Sequence, residues 1–182
     1  MAKNTKQKKT DKFYVVGITF LTFILAVTMQ FLSDVVLEGI PAIYGFFIII
    51  FVILVGIIFD ILGVAVTSVS EITFHAMAAD KVRGAKQSLT LIKNAEKVSN
   101  ICNDVIGDVC GIVSGSISSV MIAALNISDF NTKSMLLSLC ILGAVSALTV
   151  GGKAMGKTVA ISKNQEIVFT AGKIISFFSF KK

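Results

Sequence analysis

Three carboxylates lie inside stretches of this chain that are otherwise apolar: Asp60, Asp104 and Asp108. A charged side chain in hydrocarbon costs at least ~2.5–3.5 kcal/mol, so one that is kept there usually faces a protein interior, a partner or an ion path. Carboxylate oxygens can bind cations such as Mg²⁺. Asn100, Asp104 and Asp108 are also spaced four residues apart, which places them on one face of a helix. These side chains are therefore the first candidates for chemistry.

The candidates belong to long apolar segments at 13–33, 42–68, 100–125 and 135–152. With 54% hydrophobic residues and a mean hydropathy of +0.85, the chain is more apolar than soluble domains. A membrane-spanning helix needs about 20 apolar residues, and each segment comes close to or exceeds that length. The sequence therefore predicts an all-α, polytopic membrane protein with about four transmembrane helices in a lipid bilayer.

The basic residues predict the orientation of those helices. Of the 17 Lys and Arg, all but Lys133 fall in the N-terminal tail 1–12, the connector 70–98 and the region after 152. Because cytoplasmic loops carry an excess of positive charge, both termini and the connector are expected on the cytoplasmic side of the plasma membrane. The net charge of +6 is attributed to topology and lipid headgroups, and no nucleic-acid partner is expected.

Two cytoplasmic segments have amphipathic patterns. In the connector 70–98, apolar and basic residues recur near helical spacing, which predicts one or two helices along the membrane face, broken at Gly84 and near Asn94. A juxtamembrane segment, 153–176, and a basic tail, 177–182, follow the fourth span. The part from 166 to 180 is too short and interrupted to predict a fifth span, so an interfacial position is expected, with insertion left open.

The expected depths in the membrane put the three carboxylates at a similar level, where they could lie close together. The third span begins near Asn100, which puts Asp104 and Asp108 ~6–12 Å inward at 1.5 Å per residue. Asp60 lies at a comparable depth on the second span, which ends near Ser68. Hard cations prefer such oxygen ligands. The sequence predicts a site for Mg²⁺ or Na⁺ formed by Asp60, Asp104, Asp108, Ser68, Asn100 and Asn103.

Two features near these acids favour structural roles. Lys153, at the end of the fourth span, would pair with one of the acids as a buried ion pair, and this alternative stays open. Gly107, Gly111 and Gly115 recur every four residues beside the acids. Such small-residue series let helices pack closely, here within the chain or in a dimer.

Nothing in the sequence predicts an enzyme or an organic cofactor. Cys102, Cys110 and Cys140 lack metal-ligand spacing and are interpreted as packing residues. His75, the single histidine, has no accompanying metal-binding motif. The sequence contains neither a Gly-rich phosphate loop nor a nucleophile elbow.

Three ordered motifs resemble a known family. They are Phe59-Asp60-Ile61-Leu62-Gly63-Val64-Ala65-Val66-Thr67-Ser68, then Leu91-Ile92-Lys93-Asn94-Ala95-Glu96, then Gly152-Lys153-Ala154-Met155-Gly156-Lys157 with Asn164-Gln165-Glu166. Their order is similar to that in the transmembrane domain of the cyclin M/CorC magnesium transporters, over 42–176. The resemblance implies a homodimer of three-helix domains that exchanges Mg²⁺ against Na⁺, with an extra N-terminal span at 13–33. This chain departs from the family at Asp60 (Ser in the family), Gly63 and Lys153 (both Glu) and Gly156 (Pro).

These observations predict a membrane transport protein for a small cation, with Mg²⁺ as the expected ion and Na⁺ as a coupled or alternative ion. The expected partners are the bilayer and a second copy of the chain. A regulatory partner would be a separate subunit, because no nucleotide-sensing CBS domain is expected here. The alternative is a non-transporting scaffold or accessory subunit whose acids form a structural network with Lys153.

Overall fold

The computed structural model describes residues 2–37, 42–124 and 132–179, and the regular structure in these ranges is entirely helical. The third long helix is composite, because α5 passes through a π-helical segment into α6. The elements are α1 (Ala2–Leu37), α2 (Ala42–Ser68), α3 (Glu71–Ala79), α4 (Ala85–Lys93), α5 (Ala95–Ser99), the π segment (Asn100–Ile106), α6 (Gly107–Ala124), α7 (Thr132–Ser162) and α8 (Asn164–Ser179). The predicted all-α class is confirmed.

Within the described ranges, four helices are long and apolar enough to cross a membrane, as the composition predicts: Val15–Ser33, Ile43–Ser68, Ala95–Ala123 and Lys133–Ser162. The fourth is longer than expected, because α7 continues without a break past 152 to Ser162. No proline interrupts that stretch. Residues 180–182 of the predicted basic tail lie outside the described ranges.

Helix α2 is the centre of the bundle and packs against both α6 and α7. One core cluster joins Ile49 and Ile53 of α2 to Val113 and Ile117 of α6. Small residues allow the close approach of the helices. A Cβ at Gly56 would lie 3.0 Å from Cys110 Cβ, and one at Gly156 of α7 would lie 2.9 Å from Ile61 Cγ1. Helix α1 packs on the outer side of α6.

The short helices form a separate layer with its own core. Phe74 of α3, Ile92 of α4 and Val168 of α8 are buried together with Ala65 and Val66 at the end of α2. Helix α8 lies against α4 and is not one of the helices that meet the length and hydropathy of a span. The breaks predicted at Gly84 and near Asn94 are confirmed, since these residues cap the two ends of α4.

The turn between α3 and α4 contains two residues with positive φ, Lys81 at 55° and Gly84 at 95°. Helix α3 ends in a Schellman motif: Val82 N–H donates to Met77 O at 2.9 Å and Lys81 N–H to Ala78 O at 3.2 Å. A Cβ at Gly84 would lie 3.0 Å from the backbone nitrogen of Lys173, so glycine also allows the close approach of α8.

Candidate functional site

The predicted polar face of the third span lines a groove against α1. Asn100, Asp104 and Asp108 lie along one side of a recess of about 500 Å³. Thr19 and Thr22 of α1 line the other side, among apolar neighbours. We call this recess the polar groove. The prediction that Asn100, Asp104 and Asp108 share one face is confirmed.

The two threonines present acceptor oxygens rather than spare donors. Thr19 Oγ1 donates to Val15 O and Thr22 Oγ1 to Ile18 O, each at 2.8 Å. A hydroxyl whose proton is already donated keeps its lone pairs for another donor or for a cation. Together with the carboxylates, these hydroxyls give the groove an excess of oxygen acceptors.

Helix α1 was treated from the sequence as an extra span, and its part in the groove was missed. The usable signal was a stripe at helical spacing, in which Thr19, Thr22, Ala26 and Gln30 interrupt larger apolar residues. Gln30 Nε2 donates to Ser116 Oγ of α6, which fixes α1 to α6 further along the same face.

A π-helical segment, Asn100–Ile106, contains Asn100, Asn103 and Asp104 of the third span. In a π-helix each amide bonds to the carbonyl five residues back, and such segments are rare and frequently occur at functional sites. Two consecutive residues of this segment face different surroundings. Asp104 is exposed in the groove, whereas Asn103 contacts Gly63 of α2. The sequence did not predict the π segment.

Asp60 lies inside the bundle and not in the groove. It is only 4% exposed, and its Oδ2 finds no hydrogen-bond donor among the described residues. Asn103 Oδ1 is likewise buried without a donor, although Asn103 Nδ2 donates to Ser99 Oγ at 3.2 Å. Buried acceptors without a donor are rare in proteins, and bound water or an ion is one explanation for them. The two oxygens belong to facing elements, since Asn103 packs against Gly63, three residues after Asp60.

The structure does not gather the predicted metal ligands into one cluster. Within the described ranges, no group of three or more His, Cys, Asp and Glu side chains is placed to hold a metal ion. Asp104 and Asp108 face α1, whereas Asp60 is enclosed between helices, so the carboxylates have different surroundings. Ser68 lies at the end of α2, where its carbonyl accepts from Asn164 Nδ2 at 3.1 Å. It is two turns beyond Asp60 and belongs to neither group.

Lys153 points from α7 towards α6 and contacts backbone rather than a carboxylate. Its Nζ donates to Gly107 O at 3.4 Å, and the described residues show no ion pair between Lys153 and an acid. The predicted ion pair is thus not formed, because the missing side chain at Gly107 lets the ammonium group reach the carbonyl. Gly56 faces Cys110 and Gly63 faces Asn103, so antiparallel register places Asp60 level with Ile106, the residue before Gly107.

The glycine series is only partly used within the chain. Gly107 contacts Lys153, but a Cβ at Gly111 or Gly115 would meet nothing within 4 Å among the described residues. Their role in packing between chains stays a prediction.

The three cysteines and His75 do not line the polar groove. Cys102 is buried, Cys110 packs against Gly56, and Cys140 is exposed. His75 Nε2 lies 3.6 Å from a Glu71 carboxylate oxygen on the outside of α3.

The fold and the sites define a class, a multi-helix protein whose described part has four helices long and apolar enough to span a membrane, with polar groups between them. No family model, curated protein or solved structure matches this chain. The resemblance to the cyclin M/CorC transmembrane domain therefore stays a prediction that rests on the sequence motifs alone.

Proposed function

We propose that this chain is a membrane transport protein for a small cation, with Mg²⁺ as the first candidate ion and Na⁺ as the second. The observation that carries the proposal is the polar groove, in which Asp104 and Asp108 lie one helical turn apart inside a span. Charged groups at such positions are costly and are kept mainly for ion or proton pathways.

The groove has ligands and volume that suit a hydrated divalent ion. Mg²⁺ in proteins usually keeps several waters and binds one or two carboxylates directly. Asp104 and Asp108 supply two carboxylates, while Asn100 and the two threonines add neutral oxygens. With about 30 Å³ for each water, a recess of about 500 Å³ holds an ion together with its water shell.

The buried oxygens of Asp60 and Asn103 supply a second position deeper in the bundle. Asn103 and Asp104 are consecutive residues of the π segment, so this position and the groove lie on different sides of the same helical segment. An ion that leaves the groove would meet two acceptors that find no donor in the described part of the chain. We propose that the inner pair binds the ion after partial loss of its water shell, or binds a proton in exchange.

A second candidate function is supported by Lys153. Its ammonium group lies at Gly107, one residue from the level of Asp60, and a positive charge there would repel a cation at the inner oxygens. This arrangement favours a non-transporting scaffold or accessory subunit. The groove on the α1 side is not explained by that function, so we place transport first.

Mg²⁺ flux into liposomes that contain the purified chain tests the proposal. We expect the double variant Asp104→Asn/Asp108→Asn to reduce flux at least about tenfold, because both anionic ligands of the groove are lost. The matched control, Glu71→Gln/Glu166→Gln, removes two exposed carboxylates outside the groove and should leave flux unchanged.

Two outcomes would contradict transport through the groove. Equal flux in the wild type and in Asp104→Asn/Asp108→Asn would show that these acids do not carry the ion. A folded wild type with no Mg²⁺ or Na⁺ flux and no thermal stabilisation by either ion would favour the scaffold.

A further inference from the structure

A second recess, separate from the polar groove, opens on the layer of short helices. It measures about 660 Å³ and lies where the α3–α4 turn meets α8. We call it the basic recess, because Lys81, Arg83 and Lys86 line it. Its full lining is Ala78, Lys81, Val82, Arg83, Gly84, Lys86, Gln87 and Ser176. Asp80, the one acid of this turn, is not part of that lining.

The start of α4 adds backbone donors to the recess. Ala85 N–H donates to Val82 O at 3.1 Å and Ser88 N–H to Gly84 O at 2.9 Å. The amides of Lys86 and Gln87 lie between them, and in the described part of the chain they find no backbone acceptor. The N-cap is a glycine, so no side chain caps them. The N-terminus of a helix binds anions through such free amides and its dipole.

Ser176 is the independent sign of a ligand. It is only 2% exposed, yet it lines the recess, and its hydroxyl forms no hydrogen bond with the described residues. The buried Ser118, by contrast, donates to Ser114 O at 2.7 Å, which is the common arrangement in a helix. Because Ser176 lines the recess, its hydroxyl proton is available to an acceptor there. An anion in the basic recess would supply it.

We propose that the basic recess binds the phosphate group of an anionic phospholipid. Lysine side chains, helix amides and a buried hydroxyl together form a phosphate-binding set. The surroundings favour a lipid over free phosphate, because Ile175, Phe177 and Phe178 next to Ser176 are exposed apolar side chains along which acyl chains can lie. This inference does not depend on cation transport.

Binding of short-chain lipids to the full chain in neutral detergent tests the proposal. The probes are dioctanoyl phosphatidylglycerol, dioctanoyl phosphatidylcholine and inorganic phosphate, each titrated by thermophoresis. We expect the anionic lipid to bind more tightly than the zwitterionic one. Lys81→Gln/Lys86→Gln should weaken its binding about 30-fold, since each lysine near an anionic headgroup contributes roughly fivefold. Phosphate bound as tightly as the lipid, with the same dependence on these lysines, would assign the site to free phosphate instead.

Two further variants separate a built site from diffuse attraction. Lys93→Gln/Lys97→Gln makes the same charge change in the same connector, at exposed lysines outside the recess, and should leave affinity within about twofold. Ser176→Ala keeps the charge and should weaken binding severalfold. Melting temperatures in neutral detergent verify that each variant is folded. Equal losses in the two lysine pairs, or no loss in Lys81→Gln/Lys86→Gln and Ser176→Ala, would overturn the proposal.

Discussion

The contact between Gly63 and Asn103 gives the sharpest test of how the inner oxygens are held. A Cβ at Gly63 would overlap Asn103 Oδ1 and lie 2.8 Å from its Cγ and 3.1 Å from its Nδ2. In Gly63→Ala the Asn103 side chain must therefore move, which strains its hydrogen bond to Ser99. The matched control is Gly111→Ala, since a Cβ there meets nothing within 4 Å among the described residues.

The quantity to compare is the free energy of unfolding of Gly63→Ala and of Gly111→Ala. Both replace a helical glycine by alanine, which favours the helix by roughly 0.5–1 kcal/mol in each case. Overpacking at a filled site costs about 1–3 kcal/mol, and only Gly63→Ala incurs it. Gly111→Ala should therefore be neutral or slightly stabilising. Gly63→Ala should be about 1–3 kcal/mol less stable than Gly111→Ala.

Unfolding in mixed micelles of mild detergent and increasing sodium dodecyl sulfate measures this difference. Adding Asn103→Ala to Gly63→Ala should recover most of the loss, because the clash and the unpaired amide oxygen are both removed. The proposed contact is refuted if Gly63→Ala is as stable as Gly111→Ala. It is also refuted if Asn103→Ala changes the free energy of unfolding by the same amount in the Gly63→Ala variant as in the wild type.

Two other variants test neighbouring contacts. Gly172→Ala should destabilise the α4–α8 layer by about 3 kcal/mol or more, because the new Cβ meets Ser88 Oγ and lies 2.9 Å from Ser88 N. The loss should appear as increased protease cleavage of the connector. The control Gly151→Ala should show no such increase, because its Cβ meets nothing within 4 Å among the described residues. Lys153→Met should raise the affinity of the inner oxygens for Mg²⁺, because it removes the positive charge at Gly107. Thermal stabilisation by Mg²⁺ measures this affinity. An unchanged or lower affinity would contradict the proposed repulsion by Lys153.

The helical class and the number of spans followed from hydropathy, because lipid imposes a length and an apolar composition that are visible in one sequence. The caps of α4 were predictable for a local reason, since Gly84 and Asn94 break a helical pattern without tertiary help. The end of the fourth helix was not predictable from the sequence. Lys153 and Lys157 were interpreted as the start of a cytoplasmic segment, but charge alone does not end a helix, and α7 continues to Ser162.

The site was predictable along one helix and not between helices. Spacing of four residues correctly placed Asn100, Asp104 and Asp108 on one face. Depth arguments say how far a residue lies from the membrane surface, but not which neighbour it faces, so Asp60 was wrongly expected at the same place. The rotation of each helix depends on side-chain packing. The π segment, which contains Asn103 and Asp104, has no reliable signal in a single sequence.

This separation changes how Lys153 bears on function. The sequence allowed two roles for the acids, namely binding of a cation or an ion pair with Lys153. In the structure the ammonium group is at Gly107, near the level of Asp60, whereas Asp104 and Asp108 face α1. The two sets of acids can therefore be tested apart. If ions bind in the groove but do not pass Lys153, Asp104→Asn/Asp108→Asn should abolish Mg²⁺-dependent stabilisation while Asp60→Asn leaves it intact. If ions pass through, both variants should abolish flux, because a path fails when either of its consecutive sites is lost.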